Sequence, residues 1–224
     1  MKKKLIARIS NGLGNQMFLY AASYALAKKH KYNLFLDIYT GINQDIARNK
    51  KKIFKHYKPK YELDIFNLTA AILDESSFFQ TKIEYLKRKI YIFLDQFYKN
   101  KKFIIEKQNL DNRNFFQEIM TTSFFNDQIN IEGYFECEKY FIDYRSDILK
   151  EFSFNQRIHS NNKYYNNIVN SNSVSLAFRR NRFTEKYDDD LSIRKITKTQ
   201  KFENDQFNFI IKSINFFKKK IKNP

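Results

Sequence analysis

Two stretches of this chain have the residue types to handle an anionic ligand. The first is Asn11-Gly12-Leu13-Gly14-Asn15, which holds two of the 4 glycines in the sequence. Glycine gives a turn access to positive φ and lets the backbone come close to a ligand. A helix predicted to start at Asn15 or Gln16 aims its free N–H groups at the same turn, which favours an anion. The spacing is not the dinucleotide fingerprint, because the third glycine of G-x-G-x-x-G falls at Met17. Nor is it a Walker loop, because no Gly-Lys-Ser/Thr follows. A tight turn that needs glycine only for its own geometry is the plain alternative. The second stretch is Arg179-Arg180, directly after the apolar run Ser173 to Phe178. Arginine presents a planar fork matched to phosphate oxygens, which lysine cannot reproduce. Ordinary charge at a solvated strand end is the alternative there.

Other chemistry-bearing residues carry less. Asp188-Asp189-Asp190 has the carboxylate oxygens for a divalent cation. It sits in a polar stretch rather than at the end of a strand, so it reads as a solvated turn. His30, His56 and His159 are far apart and lack ligand spacing. Cys137, the 1 cysteine, excludes a disulfide framework and suits a reducing compartment. It reads as a packing residue, with no paired base to activate it. Glu136 and Glu138 have the spacing for an acid/base pair, but on a strand-to-helix turn such residues also cap or solvate the helix. No metal is expected.

Alternating elements must position these groups. Lys4 to Ile9 reads as a buried strand, Gln16 to His30 as a helix with its apolar residues at helical spacing, and Asn33 to Ile38 as a second strand. Strand, turn, helix and strand in that order form a βαβ unit and predict a parallel sheet. Residues 41–81 give no clear pattern. Lys82 to Asn100 and Glu138 to Lys150 read as helices, Phe103 to Glu106 and Ile129 to Phe135 as strands. Residues 153–172, rich in Asn and Ser, read as a helix end and a connector, and mark a boundary between domains at 1–172 and 173–224. Ser173 to Phe178 is then predicted as a strand, 184–201 as loop and Phe202 to Lys220 as a helix.

With the motifs in place, a family resemblance emerges. Asn11-Gly12-Leu13-Gly14-Asn15-Gln16-Met17-Phe18, followed by Tyr20-Ala21, resembles the opening motif of the bacterial α-1,2-fucosyltransferases of glycosyltransferase family 11. Gly133-Tyr134-Phe135-Glu136-Cys137-Glu138-Lys139-Tyr140-Phe141 resembles the central motif of that family. Ser175 to Phe183 resembles its donor motif, a strand followed by His-x-Arg-Arg-Gly-Asp-Tyr. The resemblance implies a two-domain GT-B architecture of Rossmann-like halves. It implies GDP-fucose as donor, a galactose-containing glycan as acceptor, inversion at the anomeric carbon, and no cofactor or metal. Arg179 and Arg180 then bind the donor diphosphate, the turn Asn11, Gly12, Gly14, Asn15 and Gln16 lines the cleft, and Tyr134 and Glu138 supply contacts from the central motif. Fixed cations suit a leaving group that gains charge as its bond breaks.

The donor motif departs from the family pattern. Ala177, Asn181, Arg182 and Phe183 stand where the pattern has His, Gly, Asp and Tyr, so only the arginines keep their places. After Ser173 the sequence offers one strand and one helix, the start of a C-terminal Rossmann-like domain. A lone βα unit cannot cover both faces of a parallel sheet. The chain by itself is therefore expected to have little or no transferase activity.

Length and charge set the frame. A chain of 224 residues with 42% hydrophobic and 17% aromatic residues can bury a substantial core, which excludes disorder. The net charge of +17 fits a nucleic-acid binder at first sight. But the excess is Lys spread along the chain, which reads as background, and no nucleic acid is expected. Met1 to Lys4 opens like a secretory signal, yet Arg8 interrupts the apolar run at once. No window approaches the ~18 apolar residues of a membrane span. A cytoplasmic location follows, with membrane contact at most peripheral at an anionic face. The alternative to an enzyme is a basic, non-catalytic binding protein for an anionic polymer or membrane surface.

Overall fold

A computed structural model describes residues 3–48, 59–74, 82–98, 101–106, 119, 126–155, 163–179 and 193–221. The chain divides into two compact units, Met1–Arg48 with Lys58–Asn155, and Asn49–Tyr57 with Gln156–Pro224.

The first unit is built on five parallel strands: β1 (Lys4–Arg8), β2 (Asn33–Asp37), β3 (Ala71–Ile72), β4 (Phe103–Ile105) and β5 (Gln128–Glu132). Their order across the sheet is β3-β2-β1-β5-β4. Leu5 of β1 lies opposite Leu34 of β2 on one side and Ile129 of β5 on the other. The predicted βαβ unit and parallel sheet are thus present, and the fold is mixed α/β. Helix α1 (Leu13–His30) links β1 to β2, α2 (Thr40–Arg48) follows β2, and α3 (Lys82–Asp95) precedes β4.

Strand alternation separates the two faces of the sheet. Leu5, Ala7, Ile104, Ile129 and Ile131 share the main core with Leu19, Tyr20, Ala22 and Leu26 of α1. Helix α1 is buried along most of its length, which its small residues Ala21, Ala22, Ala25 and Ala27 permit. The intervening residues Arg8, Asn130 and Glu132 are polar and point to the second face. Among the described residues, the apolar cluster there is limited to Ile6, Leu73, Phe35 and Tyr39.

Several expected boundaries move. Helix α1 starts at Leu13, not at Asn15 or Gln16. Helix α3 stops at Asp95, not Asn100, because the Asp95 carboxylate accepts from Lys102 N (2.8 Å) and Phe103 N (3.0 Å) and turns the chain into β4. Strand β5 ends at Glu132, where Gly133 takes φ +149. The helix expected over Glu138 to Lys150 is two single 3-10 turns, Glu138–Tyr140 and Ile142–Tyr144, and then a short α4 (Arg145–Glu151).

The second unit differs most from expectation. Residues Ser173 to Phe178 form no strand and are exposed. An apolar run becomes a strand only when a neighbour satisfies its backbone, and none is present among the described residues of this unit. Helix α5 (Lys163–Val169) occupies part of the predicted connector. Helix α6 (Ile193–Lys220) starts within the stretch read as loop. No helix among the described residues is long and apolar enough to cross a membrane.

Candidate functional site at the carboxyl ends of the strands

In open parallel sheets, ligands bind outside the carboxyl ends of the strands, where the strand order reverses. Here the chain runs β1 to β2 to β3 in one direction, and β5 and β4 lie on the other side of β1. The reversal point therefore falls between β1 and β5. The chain leaving β1 enters the Asn11 to Gln16 turn, and the chain leaving β5 enters Gly133 to Phe141. The two motif segments are thus brought to adjacent strand ends, and the Phe18 and Phe141 rings lie 6.1 Å apart.

The floor of this region is a charged cluster. Arg8, the last residue of β1, donates through Nε to Thr40 Oγ1 (2.9 Å) and through Nη1 to Glu132 (3.1 Å). Its Nη2 donates to Thr40 O (2.9 Å) and Gln44 Oε1 (2.6 Å). Burial pulls its pKa below the usual guanidinium value, against the opposing pull of Glu132. Glu132 accepts a second guanidinium, Arg88 of α3, at 2.5 Å. Asp37 accepts from Tyr39 N, Thr40 N and the Thr40 hydroxyl, and so holds the entry into α2. Each charge here has fixed partners, so the cluster is a rigid base for the loops above it.

The segments around the cluster are tightly constrained. Gly41, in the first turn of α2, cannot carry a side chain: a Cβ there meets Ile9 O at 2.0 Å. After β5, Glu106 accepts from Tyr134 N (2.6 Å) and Phe135 N (2.7 Å), and Phe135 adopts φ 49. A bulky residue at positive φ is strained, and such strain gathers at ligand-binding turns.

The expected site residues fall into three groups. In the first turn, positive φ belongs to Asn11 (φ 64), which tolerates it, while Gly12 is extended (φ −81). The positive φ that glycine would permit in this turn thus falls on Asn11 instead, and neither Gly12 nor Gly14 uses it. A Cβ on Gly14 meets nothing within 4 Å, so its surroundings are open. Asn15 lies in the first turn of α1, which has no acidic residue and no side-chain cap. Gln16 is fully buried; its amide bonds Asn11 O (2.7 Å), Lys60 O (2.8 Å) and Glu62 N (3.0 Å), and so holds the turn from beneath. In the second segment, Tyr134 is half-buried and Glu138 exposed, with no hydrogen bond to the Glu138 carboxylate among the described residues. Cys137 packs against the core. In the second unit, Arg179 is exposed and exchanges backbone hydrogen bonds with the Gln206 side chain, its N–H donating at 3.0 Å. Arg180 and Asp188 to Asp190 lie outside the described residues, as do His56 and His159.

Sequence reading missed Arg8, Asp37, Arg88, Glu106 and Glu132. One signal was available: Arg8 ends an apolar strand just as Arg179 follows an apolar run. Among the described residues no group of three His, Cys, Asp or Glu could hold a metal ion. Cavities of about 490 Å³ and about 1100 Å³ open at the amino ends of the strands, beside Lys4 and Asn33 and beside Lys102 and Gln128, away from this cluster. No protein-family model, no curated protein and no solved structure matches the chain.

Proposed function

We propose that the chain is a glycosyltransferase of the GT-B kind, resembling the α-1,2-fucosyltransferases, whose first unit holds a terminal galactoside for transfer from GDP-fucose. One observation carries the reading. The two motif segments are more than a hundred residues apart in sequence, yet they leave the sheet side by side at its reversal point, where ligands bind in this class of fold.

The residues divide the chemistry as follows. The acceptor lies over the Asn11 to Gln16 turn and against Tyr134. The Glu138 carboxylate takes the proton of the acceptor 2-hydroxyl as its oxygen bonds the anomeric carbon of fucose. The bond from that carbon to GDP breaks, with inversion. The resemblance gives the donor diphosphate to Arg179 and Arg180, whose planar guanidiniums suit phosphate oxygens. Arg182 occupies the place of an acidic residue in the donor motif, and Ser173 to Phe178 lack the supporting strand, so turnover is expected to be slow.

Binding is therefore the first test. GDP, GDP-fucose and lactose are each expected to raise the melting midpoint of the chain by mass action. Glu138→Gln should keep the lactose shift and remove GDP release coupled to lactose. Absence of a shift with all three ligands sinks the reading.

A further inference from the structure

We propose that the outward face of α3 is a docking surface for an anionic lipid bilayer, on which the helix lies in the plane of the headgroups. The argument starts from the sheet. Its second face carries Asn130 on β5, and Arg8 and Glu132 at the carboxyl ends of β1 and β5, beside the small Ile6 cluster, so the helix that meets those charges must turn a polar side inward. Arg88 does so, bound to Glu132 and 5.8 Å from the Phe103 ring centre, and Asp95 is buried at the start of β4. Helical spacing then sends the apolar residues outward. Ile83, Leu86, Phe93 and Phe97 are 69%, 60%, 58% and 75% exposed, and Ile90 and Leu94 join them on the same arc. An exposed apolar stripe of this length marks an interaction surface.

Charge selects the occupant. Lys87 and Lys89 are exposed on this helix and Lys102 just beyond it, while Asp95, the acid with a described side chain on α3, faces the sheet. A second copy of the chain would set lysine against lysine across the contact. Anionic headgroups neutralise them and accept the aliphatic and aromatic side chains between, with Tyr91 and Tyr98 suited to the boundary layer. The helix spans 14 residues, too few to cross a bilayer.

The test uses the full chain with vesicles of phosphatidylcholine alone or with about three-tenths phosphatidylglycerol. Flotation is expected with the anionic vesicles, falling as salt rises, and at least about tenfold weaker with the neutral ones. Leu86→Ser with Phe93→Ser, and separately Lys87→Glu with Lys89→Glu, should each lower partition about tenfold or more, with circular dichroism unchanged. The chain contains no Trp, so Phe93→Trp supplies a single indole emitter whose spectrum should shift to the blue on anionic vesicles. The proposal is overturned by no flotation at low salt, by unchanged flotation of the Leu86/Phe93 variant, or by an unshifted indole spectrum in the Phe93→Trp variant. A dimer in solution that the Leu86/Phe93 variant dissociates assigns the face to a second copy instead.

Discussion

Helices α1 and α3 serve opposite faces of one sheet, and their sequences obey opposite rules. Helix α1 meets the apolar residues of β1 and β5 and is buried nearly all round. Helix α3 meets Arg8 and Glu132 on the other face, so Arg88 turns inward and the apolar side chains point out. A hydrophobic stripe on a helix therefore does not by itself say which side is the inside; the strand residues beneath decide it. The contrast can be broken or sharpened by substitution.

The largest effect is expected at the ion pair that docks α3. Glu132→Ala leaves the Arg8 and Arg88 guanidiniums buried without their carboxylate, a loss of about 3–5 kcal/mol by urea titration. If α3 is held mainly by other contacts, the loss will fall well below that range. Next comes the apolar side. Leu26→Ala in α1 removes a side chain only 1% exposed and should cost about 2–4 kcal/mol.

A smaller effect belongs to the polar anchor of α1. The Tyr20 hydroxyl donates to buried Glu151 at 2.5 Å, and Glu151 also accepts from Thr69 N and Oγ1. Tyr20→Phe should cost about 1–2 kcal/mol at neutral pH. Burial, aided by Glu151, holds the Tyr20 pKa above its ordinary value, and burial together with Asp64 pushes Tyr61 up to about 12. Both phenols stay protonated in the folded state when the unfolded chain has begun to lose its protons near pH 10. Their contribution is thus complete below about pH 10 and is lost as pH rises from there. Melts between pH 9 and 11 should show falling stability, with a shallower fall in Tyr20→Phe. The smallest effect is expected on the outer face: Phe93→Ser should change stability by no more than about 0.5 kcal/mol. A larger loss would mean that the face is packed within the chain.

The local elements of the first unit were legible because they rest on short-range signals. The run Lys4 to Ile9, the helical spacing after Gln16 and the run Asn33 to Ile38 define β1, α1 and β2 almost to the residue. The Gly12/Gly14 turn was legible as a turn. Its mechanics were not, because Asn11 takes the positive φ and Gln16 reaches to Lys60 and Glu62, partners that spacing cannot supply. The Arg8, Arg88 and Glu132 cluster was invisible for the same reason, since its members join only when β5 pairs with β1. Ser173 to Phe178 shows the reverse error. It has the composition of a strand, but a strand is a property of two neighbours, and one run cannot report the other.

The placement of β5 beside β1 also sets the order of events in folding. Strands β1 and β2 can pair as soon as α1 has formed between them, but the other edge of β1 waits for a partner about a hundred residues later in the chain. At ribosomal speed that is roughly five to twenty seconds during which the centre of the future sheet exposes an unpaired apolar edge. Pairings of such long sequence separation also slow folding in solution. The central strand of the finished sheet is thus the edge most open to wrong partners while the chain is being made.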